Sequence, residues 1–217
     1  MATDKNILIT AGPTWVPIDK VRVIGNLASG ETGLMLAGKL SAAGARVTLL
    51  LGPTGPVPSG YPGVRIIRFR YFSEIEKLLH KELSKGVYSA VIHSAAVSDY
   101  KPKKKVQGKT SSGLKSWKIE LLPTKKLING LKRYPGNPLA VGFKFEPDLT
   151  GKKLVREGEI LMKKAGLDIV VANSNKKKYK AYILDGARKE GPFPDKDSMS
   201  RSLVRAVMRM LASRNGN

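Results

Sequence analysis

Short apolar runs that stop at glycine or proline, each followed by a stretch with helical spacing, constrain this chain more than any other feature. The first run is Ile7-Leu8-Ile9-Thr10-Ala11-Gly12-Pro13-Thr14. It reads as a buried strand running into a tight turn, because Gly and Pro end the ladder and expose backbone N–H groups. Such a turn sits at a strand's carboxyl end, where open α/β sheets bind their ligands. A second turn, Gly25-Asn26-Leu27-Ala28-Ser29-Gly30, opens directly into Leu34, Leu36, Ala37 and Leu40, spaced for the buried face of a helix. A Gly/Ser-rich loop at a helix start offers unpaired N–H groups and the positive dipole end to an anion. Asn26 adds a side-chain amide able to hold a carbonyl or an oxyanion. Neither turn spells the dinucleotide pattern G-x-G-x-x-G.

The same rhythm continues along the chain. A strand over 6 to 10 and a helix over 31 to 43, stopped by Gly44, lead to a strand over 46 to 51 closed by Gly52-Pro53-Thr54-Gly55-Pro56. A Pro/Gly-rich loop over 52 to 63 precedes a strand over 64 to 69, expected near the sheet edge. Ser73 followed by Glu76 predicts a capping box for a helix over 74 to 85. The strand over 88 to 93 then ends in Ser94-Ala95-Ala96-Val97-Ser98-Asp99-Tyr100. This repetition predicts a doubly wound, Rossmann-like α/β fold, a mostly parallel sheet with right-handed crossovers and helices on both faces. From Lys101 to Thr124 helical spacing disappears: a lysine run broken by Pro102, the loop Gly108-Lys109-Thr110-Ser111-Ser112-Gly113, and an alternating strand over 116 to 122. Such an insertion between sheet strands predicts a flap or a dimerisation arm. The sheet resumes with strands over 139 to 146 and 167 to 173 around a helix over 151 to 165, then a hairpin edge over 181 to 186. Ser198 is expected to cap a last helix whose apolar face holds Leu203, Ala206, Val207, Met210 and Leu211. With no internal repeat and no linker, residues 1–217 read as one domain.

Composition narrows the chemistry. At 217 residues and 41% hydrophobic, the chain can bury a sizeable core. It contains no apolar run of about 18 residues, and Met1 to Lys5 run straight into a strand, so a cytoplasmic protein without a membrane partner is expected. No cysteine and only His80 and His93 exclude thiol nucleophiles and thiolate or histidine-rich metal sites. Catalytic bases and metal ligands are left to the 17 acidic residues or to the substrates. A net charge of +22 attracts polyanions, from nucleic acid to phosphorylated substrates, without choosing among them. Lysines 101 and 103 to 105, lysines 176 to 178, and Arg201, Arg205 and Arg209 fall in loops and on outer helix faces, as solvated charge does. No dedicated nucleic-acid partner is expected.

Taken together, several stretches resemble the phosphopantothenate-cysteine ligase (phosphopantothenoylcysteine synthetase) family. They are Ile9 to Thr14 with Pro17-Ile18-Asp19 and Val21-Arg22, Asn26 with Ser29-Gly30, Ala95 to Pro102, Lys109 to Ser112, Val141-Gly142-Phe143 with Glu146, and Leu167 to Asn173. The resemblance runs nearly full length and in order. It is to the stand-alone form, without the fused flavin-dependent decarboxylase. It implies that a nucleoside triphosphate, ATP or CTP with Mg²⁺, activates the carboxylate of 4'-phosphopantothenate as an acyl-nucleotide, which the amine of L-cysteine then converts to the amide in coenzyme A biosynthesis. By the same resemblance Asn26 holds the intermediate and Lys109 on the flap stabilises charge as it forms. Gly12, Ser29, Gly30, Ser94, Ala95, Asp99 and Phe143 face the nucleotide, Arg22 and Ala96 face the substrate, and the enzyme is a homodimer. No metal-ligand residues are assigned. Arg22 also has a plain structural reading, as the partner of Asp19.

Three places depart from the family pattern. Thr124-Lys125-Lys126-Leu127-Ile128 replaces Asn-Pro-Asp-Ile, a hydroxyl is lost just before Asn26, and Lys163 and Lys164 are out of register. These leave the choice between ATP and CTP open. Two other classes were weighed. An NAD(P)-dependent oxidoreductase needs a Tyr-x-x-x-Lys pair on a helix, and Tyr100 with Lys104 has that spacing only across Pro102. A basic nucleic-acid-binding protein would interleave aromatics with its basic runs, which this chain does not do.

Overall fold

The computed structural model describes residues 5–55, 62–104 and 106–215. Lys105 and part of the loop expected over 52 to 63 lie outside the described residues. In chain order the strands are β1 (Asn6–Ala11), β2 (Trp15–Pro17), β3 (Val23–Gly25), β4 (Arg46–Leu51), β5 (Val64–Arg68), β6 (Ala90–His93), β7 (Tyr100–Pro102), β8 (Leu121–Pro123), β9 (Leu139–Phe145), β10 (Ile169–Ser174), β11 (Lys180–Leu184) and β12 (Lys189–Phe193). The helices are α1 (Glu31–Ala42), α2 (Phe72–Leu83), α3 (Gly151–Ala165) and α4 (Lys196–Asn215).

Eight strands form one sheet in the order β12-β11-β10-β9-β6-β1-β4-β5. Strands β5, β4, β1, β6, β9 and β10 are parallel, and the hairpin β11–β12 closes the far edge antiparallel. As the run over 64 to 69 suggested, β5 is the other edge. Period-two alternation sends Ile7, Ile9 and Ala11 of β1 to a core shared with α1 and α4. Leu8 faces the opposite way, into a core shared with α2 and partly with α3. The sheet is therefore covered on both faces, which explains why its strands read as continuous apolar runs.

Strand order reverses beside β1. From β1 the chain crosses through α1 to β4 and β5, then returns through α2 to β6 on the other side of β1. Diverging connections leave a crevice beyond the carboxyl ends of β1 and β6. The wall of that crevice depends on close backbone approach. A Cβ at Gly33, in the first turn of α1, would lie 2.3 Å from the Ala11 Cβ. Gly30, at φ +75°, is the αL residue preceding α1, and a Cβ there would lie 3.3 Å from the Gly12 nitrogen.

Several local expectations are corrected. Helix α2 begins two residues early, because Glu74 rather than Glu76 turns back to accept the backbone N–H groups of Arg70 (2.6 Å) and Tyr71 (3.2 Å). Ser198 lies inside α4; Asp195 accepts its N–H at 2.7 Å and starts the helix. The strand expected over 116 to 122 shrinks to β8, which pairs antiparallel with β7. Residues 15 to 25, for which the sequence predicts no strand, form the hairpin β2–β3.

At the amino edge of the sheet, Glu82 is 2% exposed and accepts hydrogen bonds from Lys85 (2.8 Å), Tyr88 (2.5 Å) and Arg65 (2.6 Å). Burial works to raise its carboxyl, but these three donors outweigh it and bring the pKa down to about 2.

Gly33→Ala tests the helix–strand approach. Alanine gains about 1 kcal/mol in helix propensity over glycine, yet overpacking costs about 1–3 kcal/mol. We expect a net loss of about 1 kcal/mol in urea denaturation, and a gain would show that α1 does not rest on β1.

Candidate functional site

The turn after β6 is built from its own chain and from β1. Thr10, fully buried, accepts the Ser94 N–H (3.1 Å) and Ser94 hydroxyl (2.7 Å) on its carbonyl and the Ala95 N–H (3.3 Å) on Oγ1. Gly12 accepts the Ala96 N–H at 2.9 Å, and Thr14 Oγ1 accepts the Ser98 N–H at 2.8 Å. Ser94, Ala95 and Ala96 thus form a rigid floor whose N–H groups already have partners. Anion-facing donors must come from elsewhere, and the amino terminus of α1 is placed to supply them. No side chain caps that helix, and Ser29 Oγ stands at 3.4 Å from the Glu31 N–H.

Asn26 closes the crevice from the side. Its amide nitrogen donates to the carbonyls of Ala96 and Val97, both at 3.1 Å. That fixes the amide orientation and leaves its oxygen as an acceptor beside the floor. Gly12, Asn26, Ser29, Gly30, Ser94, Ala95 and Ala96, expected from the sequence to act together, are thus gathered at one end of β1 and β6.

The flap lies over the β2–β3 hairpin of its own chain. Lys20 N–H donates to Gly108 (2.9 Å), and Val106 N–H donates to Ile18 (3.1 Å). Lys109, directly after Gly108, is exposed. Arg22 pairs with Asp19, donates to the Thr110 carbonyl (3.3 Å) and lies 5.3 Å over the Trp117 ring. Arg22 therefore serves the structural reading here, pinning hairpin and flap. A cleft of about 330 Å³ opens between them, lined by Ile18, Trp117 and several lysines.

Two expected residues stand apart. Asp99 is exposed, ion-paired to Lys126 at 2.5 Å, with its carbonyl accepting the Thr124 N–H (2.8 Å). Phe143 follows Gly142, which pairs with His93, so it stands one strand over from the floor; it is half-buried against the α1 and α4 core. Tyr100 lies in β7 and Lys104 in an exposed turn, so the helical Tyr-x-x-x-Lys pair of an oxidoreductase does not form. Among the described residues no three His, Asp or Glu side chains stand together as a metal site. None of their helices is long and apolar enough to cross a membrane.

Sequence reasoning missed His93 and Lys126. Lys126 showed only as a departure from a pattern. His93 forms the underside of the floor, its Nδ1 2.9 Å from Thr10 Oγ1.

Fold and site together define a doubly wound α/β domain with a switch-point crevice and a lysine-bearing flap held against the hairpin that leads into it. Residues 2–211 match the DNA/pantothenate metabolism flavoprotein C-terminal domain, and the chain belongs to that family. Among curated relatives, the coenzyme A biosynthesis bifunctional protein CoaBC of Thermococcus kodakarensis is 36% identical over 79% of this chain and 42% of its own length. That of Borreliella burgdorferi is 31% identical over 94% and 52%. The chain spans about half the length of the curated relatives it matches. Among solved structures, the DNA/pantothenate metabolism flavoprotein of Streptococcus pneumoniae aligns at a TM-score of 0.85 and 23% identity, covering 95% of this chain and 99% of that one. A Cab2 mutant in complex with phosphopantothenate-cysteine aligns at 0.77 and 16%, covering 99% and 90%.

Burial brings the His93 pKa down from 6.5 to about 4. Between those values the unfolded chain binds a proton that the folded chain refuses, so stability present above pH 6.5 is lost as pH falls toward 4. The urea midpoint should drop from pH 7 to pH 4.5, and His93→Gln should flatten that slope. Equal slopes in the two proteins would remove His93 as its source.

Proposed function

We propose that this chain is a phosphopantothenate-cysteine ligase, joining 4'-phosphopantothenate to L-cysteine with a nucleoside triphosphate in coenzyme A biosynthesis. The observation that carries this reading is the convergence of Asn26, the start of α1 and the two glycine turns at the switch-point crevice, with Lys109 exposed on a flap pinned to the β2–β3 hairpin that leads into Asn26. The relatives' coenzyme A names and the product bound in the Cab2 structure support the substrate class.

In the first step a carboxylate oxygen of phosphopantothenate attacks the α-phosphorus and pyrophosphate leaves, giving an acyl-nucleotide. Both reactants are strongly anionic, so fixed donors and cations must converge on them. The start of α1 faces the phosphates, with Gly12 and Gly30 allowing close approach. Lys109 meets negative charge as the leaving pyrophosphate separates. In the second step the cysteine amine attacks the acyl carbon, loses a proton and expels the nucleotide. The oriented Asn26 amide holds the intermediate while this happens.

Magnesium would arrive as a companion of the triphosphate, since Mg²⁺ is commonly held through substrate phosphates; among the described residues no three carboxylate or histidine side chains stand together to hold it. Bound there it would neutralise phosphate charge. The reading extends to a cytoplasmic homodimer. Val21, Val23, Tyr100, Leu121 and Leu122, on two adjoining hairpins, are exposed apolar side chains suited to a second copy. Light scattering at the monomer mass would contradict the dimer.

Purified protein given 4'-phosphopantothenate, cysteine, Mg²⁺ and either ATP or CTP should release pyrophosphate and form the amide. Lys109→Ala should slow pyrophosphate release by about 10²-fold, the scale of losing one transition-state donor. Asn26→Ala should still form the acyl-nucleotide but turn it over poorly. Parent rates in both variants would sink these assignments.

A further inference from the structure

The ligase chemistry gives Asp19 no part, yet its surroundings are more elaborate than loop packing needs. Its carboxylate is 2% exposed. Oδ1 accepts the N–H groups of Val21 (2.8 Å) and Arg22 (2.7 Å). Oδ2 accepts the Arg22 guanidinium (2.5 Å) and, from 91 residues away in sequence, the Thr110 N–H (3.1 Å). Burial works to raise this carboxyl, and the four donors hold it well below the usual carboxylate range.

Thr110 directly follows Lys109. The peptide groups on either side of that lysine are therefore both held by one turn. The Gly108 carbonyl accepts from Lys20 N–H at 2.9 Å, and the Thr110 N–H reaches Asp19. Arg22, fixed by Asp19, donates to the Thr110 carbonyl as well, at 3.3 Å. The lysine side chain itself stays exposed. A carboxylate suits this place because it accepts on both oxygens and carries no donor. An amide of the same shape would turn an N–H₂ toward the guanidinium or toward a backbone N–H.

We propose that Asp19 is a positioning residue that clamps the flap of its own chain and sets the pose of Lys109. The β2–β3 hairpin would then couple the two working side chains, gripping the Lys109 loop at its turn and delivering Asn26 to the crevice from its last strand. The catalytic half of this inference rests on the ligase reading above, while the clamp does not.

Hydrogen exchange of the full chain and a double-variant cycle test it. In the unmodified protein the Thr110 amide should be protected, and Asp19→Asn should remove that protection while distant strands keep theirs. Pyrophosphate release without cysteine should fall by about 10²-fold in Asp19→Asn, the cost of misplacing a reacting group by about 1 Å. The loss should appear in kcat rather than KM, and Asp19→Asn/Lys109→Ala should be no slower than Lys109→Ala alone. Multiplying losses in the double variant would overturn the positioning role. A Thr110 amide exchanging at open-loop rates in the unmodified protein would overturn the clamp, even if Asp19→Asn does not fold. Should the parent release no pyrophosphate, the ligase reading falls, and the exchange result still decides the clamp.

Discussion

How near the first turn of α1 comes to the end of β1 governs the whole carboxyl edge of the sheet. Side-chain-free positions at Gly12, Gly30 and Gly33 let backbone come close to backbone there, with the side chains of Ala11, Thr54 and Ser94 filling the remaining space. Because α1 enters at that distance, its amino terminus opens beside the crevice, with only Ser29 Oγ among neighbouring side chains taking a first-turn N–H. The floor is held from the other direction, by Thr10 serving Ser94 and Ala95 with one carbonyl and one hydroxyl. Placing the site thus relies on buried backbone hydrogen bonds, which tolerate little movement.

Charge is divided differently between the two ends of the sheet. At the amino edge Glu82 gathers cations in a buried cluster whose work is structural. At the carboxyl edge most lysines stay in water, and the flap spanning 101 to 124 contributes many of them. Such a basic rim attracts anions and speeds their encounter at low salt. The bulk positive charge, read from composition as solvated surface, thus has a local concentration on the flap.

The sheet was legible because buried parallel strands leave continuous apolar runs, and the helices because Leu36, Ala37 and Leu40, or Leu203, Ala206 and Val207, repeat at helical spacing. The glycine turns were equally visible, since few other residues stop a strand so abruptly. What stayed hidden was pairing at long range. Nothing near Asp19 announces that its fourth donor is Thr110, although its pairing with Arg22 was visible in the sequence. The short hairpins β2–β3 and β7–β8 were missed for a related reason: three-residue strands carry too little alternation to register. The ion pair of Asp99 with Lys126, 27 residues on, was equally invisible.

Acids are outnumbered in this chain, 17 against 39 bases, and the structure makes them serve several partners at once. Asp168 joins Lys132, Arg214 and the Ala140 N–H, tying the last helix to the middle of the sheet; Asp197 joins Lys39 and Arg201. Removing one lysine therefore breaks one link, whereas removing one of these carboxylates releases a knot and leaves two cations facing each other. In a protein this basic, evolutionary tolerance should be lopsided: lysines can drift, while a handful of aspartates and glutamates cannot.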